Sequence, residues 1–317
     1  MAEFSPDCFE DDFEKNEMKE LQREIDVKGL SITEDFLRKR LKRWREVTVN
    51  IAITGNSGSG KSSFINAIRE LHEDDDGAAP VDVEECTKEP TAYDHPTNSK
   101  IKFWDLPGIG TNNYPDMETY VQKVQLERYH AFLIFTASRF TKNDSLLAEK
   151  IRSMRKSFFF VRSKIDSDVN SESRKRSFNE EATLMKVRSN CSQNLGGLLS
   201  NQEDIFLISN HEPDKWDFVR LTQAILDALD RFQRETLTLS LGKAITRFST
   251  EILQRKVNVL KGRIWKVAAV SAAGAMHPLP GLSVAFDTSL ILEELILYRS
   301  QLGLPNVGSA EFEKLPV

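Results

Sequence analysis

The chain has 317 residues, 40% of them hydrophobic and 29% charged, which excludes a disordered chain and leaves room for one large domain or two ordinary ones. A formal net charge of −5 repels phosphate backbones and argues against nucleic acid as the main partner, while small nucleotides, bound by local groups, stay open. Cys8, Cys86 and Cys191 are far apart and form no CxxC pair, which argues against a disulfide scaffold or a zinc site and fits a reducing, cytoplasmic compartment.

Met1-Ala2-Glu3-Phe4 lacks the basic start and apolar run of a secretory signal, and Ala2 stands where myristoylation needs glycine. No stretch reaches the about 18 uninterrupted apolar residues of a membrane-spanning helix. Residues 264–276 come nearest and stop at His277-Pro278, so the expectation is at most peripheral membrane contact. Residues 13–45 read as helical. Ser31-x-x-Glu34 has the form of a capping box, after which Leu37, Leu41 and Trp44 share a stripe opposite Arg38, Lys39, Arg40, Lys42, Arg43 and Arg45. Packing of the stripe with the charges solvated is the favoured reading; a basic amphipathic helix on an anionic membrane is the alternative.

From Val47 short apolar runs alternate with longer polar segments. Runs over 47–53, 101–104, 131–135, 158–161 and 205–208 predict strands buried on both faces, with helices over 61–71, 116–129 and 144–154. Strand–helix alternation means an α/β fold with a mostly parallel sheet. After about Phe232 only helices follow, including 245–265 and 290–298. The chain therefore divides into an N-terminal helical segment (1–46), a nucleotide-binding domain (47–232) and a C-terminal helical segment (233–317). The acidic run 73–76 lacks calcium-ligand spacing and reads as a solvated loop, and the five histidines are scattered and read as structural. The apolar stretches 264–276 and 282–297 are expected to form a core hairpin turning at Pro278, Pro280 and Gly281.

Gly55-Asn56-Ser57-Gly58-Ser59-Gly60-Lys61-Ser62 matches G-x-x-x-x-G-K-[ST] in full, after the strongest strand candidate and before a helix. Its glycines let backbone N–H groups converge on phosphate oxygens, and the helix N-terminus adds its dipole. Lys61 is expected to reach the β- and γ-phosphates and Ser62 to ligate Mg²⁺, with Ser63 completing the phosphate-side set. Asp105-Leu106-Pro107-Gly108 follows a strand directly. Asp105 is the candidate for Mg²⁺, and the Gly108 N–H for the γ-phosphate. Arg162-Ser163-Lys164-Ile165-Asp166 is similar to the [N/T]KxD motif of GTPases. The Asp166 carboxylate can accept the N–H pair of guanine, which adenine cannot supply, while the Lys164 stem lies along the base. Ser163 departs from the common Asn or Thr, yet its hydroxyl can tether the phosphate loop. Ser209-Asn210 resembles the last GTPase motif, where a backbone N–H reads the guanine O6. The ligand expected is GTP or GDP with Mg²⁺.

Further pieces extend the similarity: Phe103 through Thr111, Arg139-Phe140-x-x-Asn143-Asp144, Phe160-Val161-Arg162-x-Lys164-x-Asp166-x-Asp168, Ser177-Phe178-Asn179 and Pro280-Gly281-Leu282. Over residues 30–305 the chain resembles the immunity-related, interferon-inducible GTPases of vertebrates. The resemblance implies a Ras-like G domain flanked by a helical domain formed from both chain ends. It implies a GTPase that self-assembles on binding nucleotide and acts at intracellular membranes. The C-terminal helical part is shorter here than in that family.

A Ras-type GTPase orients the attacking water with a Gln after this Asp-x-x-Gly. Here Ile109 and Gly110 follow Gly108, so intrinsic hydrolysis is expected to be slow unless contact between two G domains supplies the missing group, as the resemblance implies. In the first-switch segment 85–91, Thr87 is the candidate to close on Mg²⁺ and the γ-phosphate, with Thr91 as alternative. Glu89 is the candidate for activation across a dimer. A nucleotide-gated binding module with little turnover is the competing reading. A P-loop ATPase or kinase is opposed by Asp166.

Overall fold

The structure is a computed structural model; it describes residues 23, 38–81, 87–111, 113–195, 198–199, 204–275, 282–305, 309 and 312. Residues 13–22 and 24–37 of the helix expected over 13–45, with its capping box, lie outside the described residues, as do Cys8, Cys86 and the turn at Pro278, Pro280 and Gly281.

Six strands form one sheet: β1 (Val49–Gly55), β2 (Thr91–His95), β3 (Asn98–Asp105), β4 (Ala131–Thr136), β5 (Ser157–Arg162) and β6 (Ile205–Leu207). Their order is β2-β3-β1-β4-β5-β6, parallel throughout except for the antiparallel edge strand β2. The helices are α1 (Lys61–Ile68), α2 (Met117–Val124), α3 (Lys142–Ser153), α4 (Ile165–Glu172), α5 (Glu180–Leu195), α6 (Phe218–Ala228), α7 (Arg231–Ser240), α8 (Lys243–Arg247), α9 (Thr250–Ala275) and α10 (Leu282–Gln301). The uninterrupted apolar runs have the cause inferred for them, because both faces of the sheet are covered. Val49, Ile51 and Ile53 of β1 join Phe64, Ile65 and Phe218 in one core, while Ala52, Phe132 and Ile134 join Tyr120, Leu147 and Ile205 in another.

Several features differ from the expectation. Strand β2 was not predicted: it is a five-residue edge strand with Asp94 near its end and mostly exposed or half-buried, so its sequence carries no buried-strand signal. Helix α1 stops at Ile68 instead of reaching 71, because Glu70 takes a left-handed φ of 53° and its carboxylate accepts the Ile245 N–H at 3.0 Å. The expected boundary at 232 is also displaced. The chain forms two compact units, one Val47–Ile252 and the other Met1–Glu46 with Leu253–Val317. Leu237, Leu241, Ile245 and Ile252 all enter the core beneath the sheet, which draws α7 and α8 into that unit.

The second unit combines both chain ends. Leu41 and Trp44 of the expected stripe are buried there. Arg263 meets Glu294 in a buried bidentate pair, Nε to Oε2 at 3.0 Å and Nη2 to Oε1 at 2.5 Å, while its Nη1 donates to the Leu41 carbonyl at 2.8 Å. Helices α9 and α10 do not bury all of their apolar residues, contrary to the core-hairpin expectation: Trp265 is 70% and Ile296 67% exposed. These helices are apolar on more than one side, and among the residues whose burial is described Leu260, Arg263, Leu290 and Glu294 are turned inward. Among the described residues no helix is long and apolar enough to cross a membrane.

At the end of β1, Gly55 has φ 141° and lies opposite Phe135 of β4. A Cβ there would stand 2.2 Å from the Phe135 carbonyl oxygen, whereas one at Gly58 (φ 70°) would meet nothing within 4 Å. Gly55→Ala should lower the unfolding free energy by roughly 3 kcal/mol or more, and Gly58→Ala by about 1 kcal/mol. Urea denaturation of both variants checks this.

Candidate functional site

Strand β1 is flanked by β3 on one side and β4 on the other, so the strand order reverses at its carboxyl end and opens a crevice there. The loop 55–62 crosses this crevice. It turns through left-handed Gly58 and Gly60 and enters α1, with the Gly60 carbonyl accepting the Phe64 N–H at 3.0 Å. The buried Lys61 folds back on the loop, its Nζ donating to the carbonyls of Gly55 (3.0 Å) and Asn56 (3.3 Å). Asn56, Ser57 and Gly58 are exposed, Ser59 is buried, and Ser62 and Ser63 lie half-buried in the first turn of α1.

Asp105 ends β3, in register with Ile53 of β1, and the Leu106 N–H extends the ladder to the Ile53 carbonyl at 2.8 Å. Its Oδ2 accepts from the hydroxyls of Thr87 (2.7 Å) and Ser62 (3.4 Å), while its Oδ1 is buried without a partner. Burial pushes the Asp105 carboxyl above the usual range, opposed by the charge of Lys61 and the two hydroxyls. Among the described residues no three His, Cys, Asp or Glu side chains could hold a metal ion together. The Ser62, Thr87 and Asp105 oxygens, with one carboxylate lone-pair face unused, fit a hard ion such as Mg²⁺ that completes its shell with phosphate and water. Of the two threonines, it is Thr87 that reaches Asp105. Thr91 begins β2, and its hydroxyl donates to the Glu89 carbonyl at 3.0 Å. Glu89 is exposed and outside this cluster. Gly108 approaches the loop, a Cβ on it falling 3.5 Å from the Gly55 carbonyl. Beyond it the Ile109 carbonyl accepts from Asn143 Nδ2 at 3.2 Å.

The loops after β5 and β6 come to the same crevice. The buried Ser163 hydroxyl donates to the Ser59 carbonyl at 2.6 Å, the tether expected of it. Lys164, exposed and left-handed at φ 59°, turns the chain into α4, which places Asp166 in the first turn of that helix instead of the loop. Ser209 Oγ accepts the N–H groups of His211 (3.2 Å) and Glu212 (3.3 Å), and Asn210 Nδ2 donates to the Gly60 carbonyl at 2.9 Å. The sequence reading named Arg162 and Asp168 within a motif but not the contact between them. Arg162 donates to the Ser163 carbonyl (2.6 Å) and to Asp168 (2.5 Å), bracing the turn that carries Lys164 and Asp166. The spacing Arg-x-x-x-x-x-Asp across a strand-to-helix turn was the available signal.

A strand-to-helix phosphate loop, a neighbouring strand-end Asp with two hydroxyls and two further strand-end loops define a P-loop nucleotide-binding domain of the G type. The family model for interferon-inducible GTPase (IIGP) matches residues 14–310, so the chain belongs to that family. Interferon-inducible GTPase 1 of Mus musculus is 34% identical over 280 residues, 87% of this chain and 66% of its own length. Interferon-inducible GTPase 5 of Rattus norvegicus is 33% identical over 299 residues, 94% of this chain and 64% of its own. The chain thus spans just under two thirds of the length of these curated relatives. Among solved structures, Era with MgGDPNP and a segment of 16S ribosomal RNA aligns at 18% identity over 58% of each chain with a TM-score of 0.39, too distant to carry weight.

Because its pKa is raised, the Asp105 charge costs stability in the nucleotide-free chain, a cost absent at low pH and appearing as pH rises from the ordinary carboxylate range through the raised one. Asp105→Asn should flatten that dependence and raise the neutral-pH Tm by roughly 2–4 °C. Thermal melts in EDTA from pH 4 to pH 8 check both the sign and the slope.

Proposed function

We propose that the chain binds GTP with Mg²⁺ and hydrolyses it to GDP and phosphate, slowly when alone and faster when two G domains of the chain meet. The observation that carries this reading is the joining of the phosphate loop to the guanine-type motif through Ser163 and Ser59, 2.6 Å apart. Phosphates would take N–H groups of the loop and the Lys61 ammonium, which exchanges the loop carbonyls for phosphate oxygens. Ser62, Thr87 and Asp105 would hold the metal, which offsets charge on the β- and γ-phosphates. Asp166 would accept the guanine N–H pair and the Asn210 backbone N–H would meet O6. The Gly108 N–H would face the γ-phosphate as water adds to its phosphorus and the bond to the bridging oxygen breaks.

Ile109 and Gly110 offer no side chain to orient that water, and this supports both the slow rate and the second reading, a nucleotide-gated module with little turnover. Self-assembly and action in cell-autonomous immunity at intracellular membranes are proposed from family membership. The exposed Trp265 and Ile296 suit peripheral membrane contact.

GTP turnover per molecule, measured over a wide range of protein concentration with an ATP control, should climb with concentration. A flat, near-zero rate beside tight GTP binding would leave the gated module. Asp166→Asn should weaken GTP by about 100-fold, the loss of two charge-assisted hydrogen bonds, and favour xanthosine triphosphate, whose C2 oxygen accepts from the new amide. Competition binding with both nucleotides checks it.

A further inference from the structure

We infer that the Asn210 side chain is a positioning residue for the phosphate loop, aiming one of its N–H groups from within the segment that would read the base. This rests on the guanine-nucleotide reading above and adds a residue to it. The Asn210 Nδ2 donates to the Gly60 carbonyl at 2.9 Å, across 150 residues of sequence. A peptide unit is planar, with its C=O and N–H on opposite sides. Fixing the Gly60 carbonyl therefore fixes the direction of the Lys61 N–H, which belongs to the same plane.

Ser163 does the same one plane earlier. Its hydroxyl holds the Ser59 carbonyl at 2.6 Å and so directs the Gly60 N–H. Two consecutive peptide planes of the phosphate loop are thus held by side chains from two different base-site loops, the second of them together with the Phe64 N–H, which meets the same Gly60 carbonyl at 3.0 Å. The packing agrees, since a Cβ at Gly60 would lie 3.1 Å from Asn210 Nδ2 and 3.4 Å from Ser163 Oγ. Filling space is a poor account of this amide. Its Oδ1 is buried without a partner, a cost that an apolar side chain would avoid. The donor is what the position uses.

If Asn210 serves the phosphates, its loss is felt only by ligands that carry them. The test is displacement of a fluorescent GDP by GDP and by guanosine, on the whole chain and on Asn210→Ala and Asn210→Leu. Asn210→Leu keeps the shape and removes the donor without adding charge beside the phosphates, so it carries the test if the alanine variant does not fold; melts of the nucleotide-free proteins establish which does. Both variants should bind GDP about ten-fold more weakly and guanosine within about two-fold of wild type. Equal losses for both ligands would make Asn210 a residue of the base site or the fold and overturn the inference, as would unchanged GDP affinity. A wild-type chain that fails to bind GDP would overturn the guanine-nucleotide reading and this inference with it.

Discussion

A phosphate loop has to keep N–H groups available for its ligand, and so its anchoring to other elements falls on its carbonyls. In this chain each anchor comes from a different element. The Lys61 ammonium from α1 holds the carbonyls of Gly55 and Asn56, the Ser163 hydroxyl after β5 holds that of Ser59, and the Asn210 amide after β6 holds that of Gly60. None of these groups is near another in sequence except Lys61. The parallel sheet brings them together by ending β1, β5 and β6 at the same edge, with β4 between. The site is thus a consequence of strand order, and each loop follows a strand of a sheet covered on both faces.

The same crevice holds a charge against its preference. Asp105 sits at the end of a buried strand, and its carboxylate is held by two hydroxyls while one oxygen stays unpartnered. A carboxylate so placed is worth keeping only where a cation offsets it. Thr87 connects this group to the segment before β2, while Glu89 of the same segment is exposed and outside the cluster. Thr91 stands opposite Asp105 in the β2–β3 ladder, yet its hydroxyl is spent on the Glu89 carbonyl.

Within the helical unit the buried Arg263–Glu294 pair, with Arg263 also on the Leu41 carbonyl, ties the chain's early helical segment to α9 and α10. Such a pair fixes register more surely than it adds stability, because desolvation offsets most of its Coulomb energy. Apolar side chains such as Leu292 and Ile296 remain exposed on α10.

The parallel strands were legible because burial on both faces leaves runs such as Phe132-Leu133-Ile134-Phe135, and the phosphate loop because its glycines and lysine answer to backbone geometry and charge at fixed spacing. Strand β2 was not, since a half-exposed edge strand needs no apolar run. Nor was the choice between Thr87 and Thr91, which depends on where β2 begins, or the extent of the sheet unit to Ile252, which depends on packing beneath the sheet. By itself the sequence determined the chemistry of the groups and the order of the strand ends that carry them. Only the tertiary structure decided that Thr87 rather than Thr91 meets Asp105, which loop carbonyl the Ser163 hydroxyl takes, and that the Asn210 amide holds the carbonyl of Gly60, because hydrogen bonds spanning up to 150 residues have no period that a sequence can display.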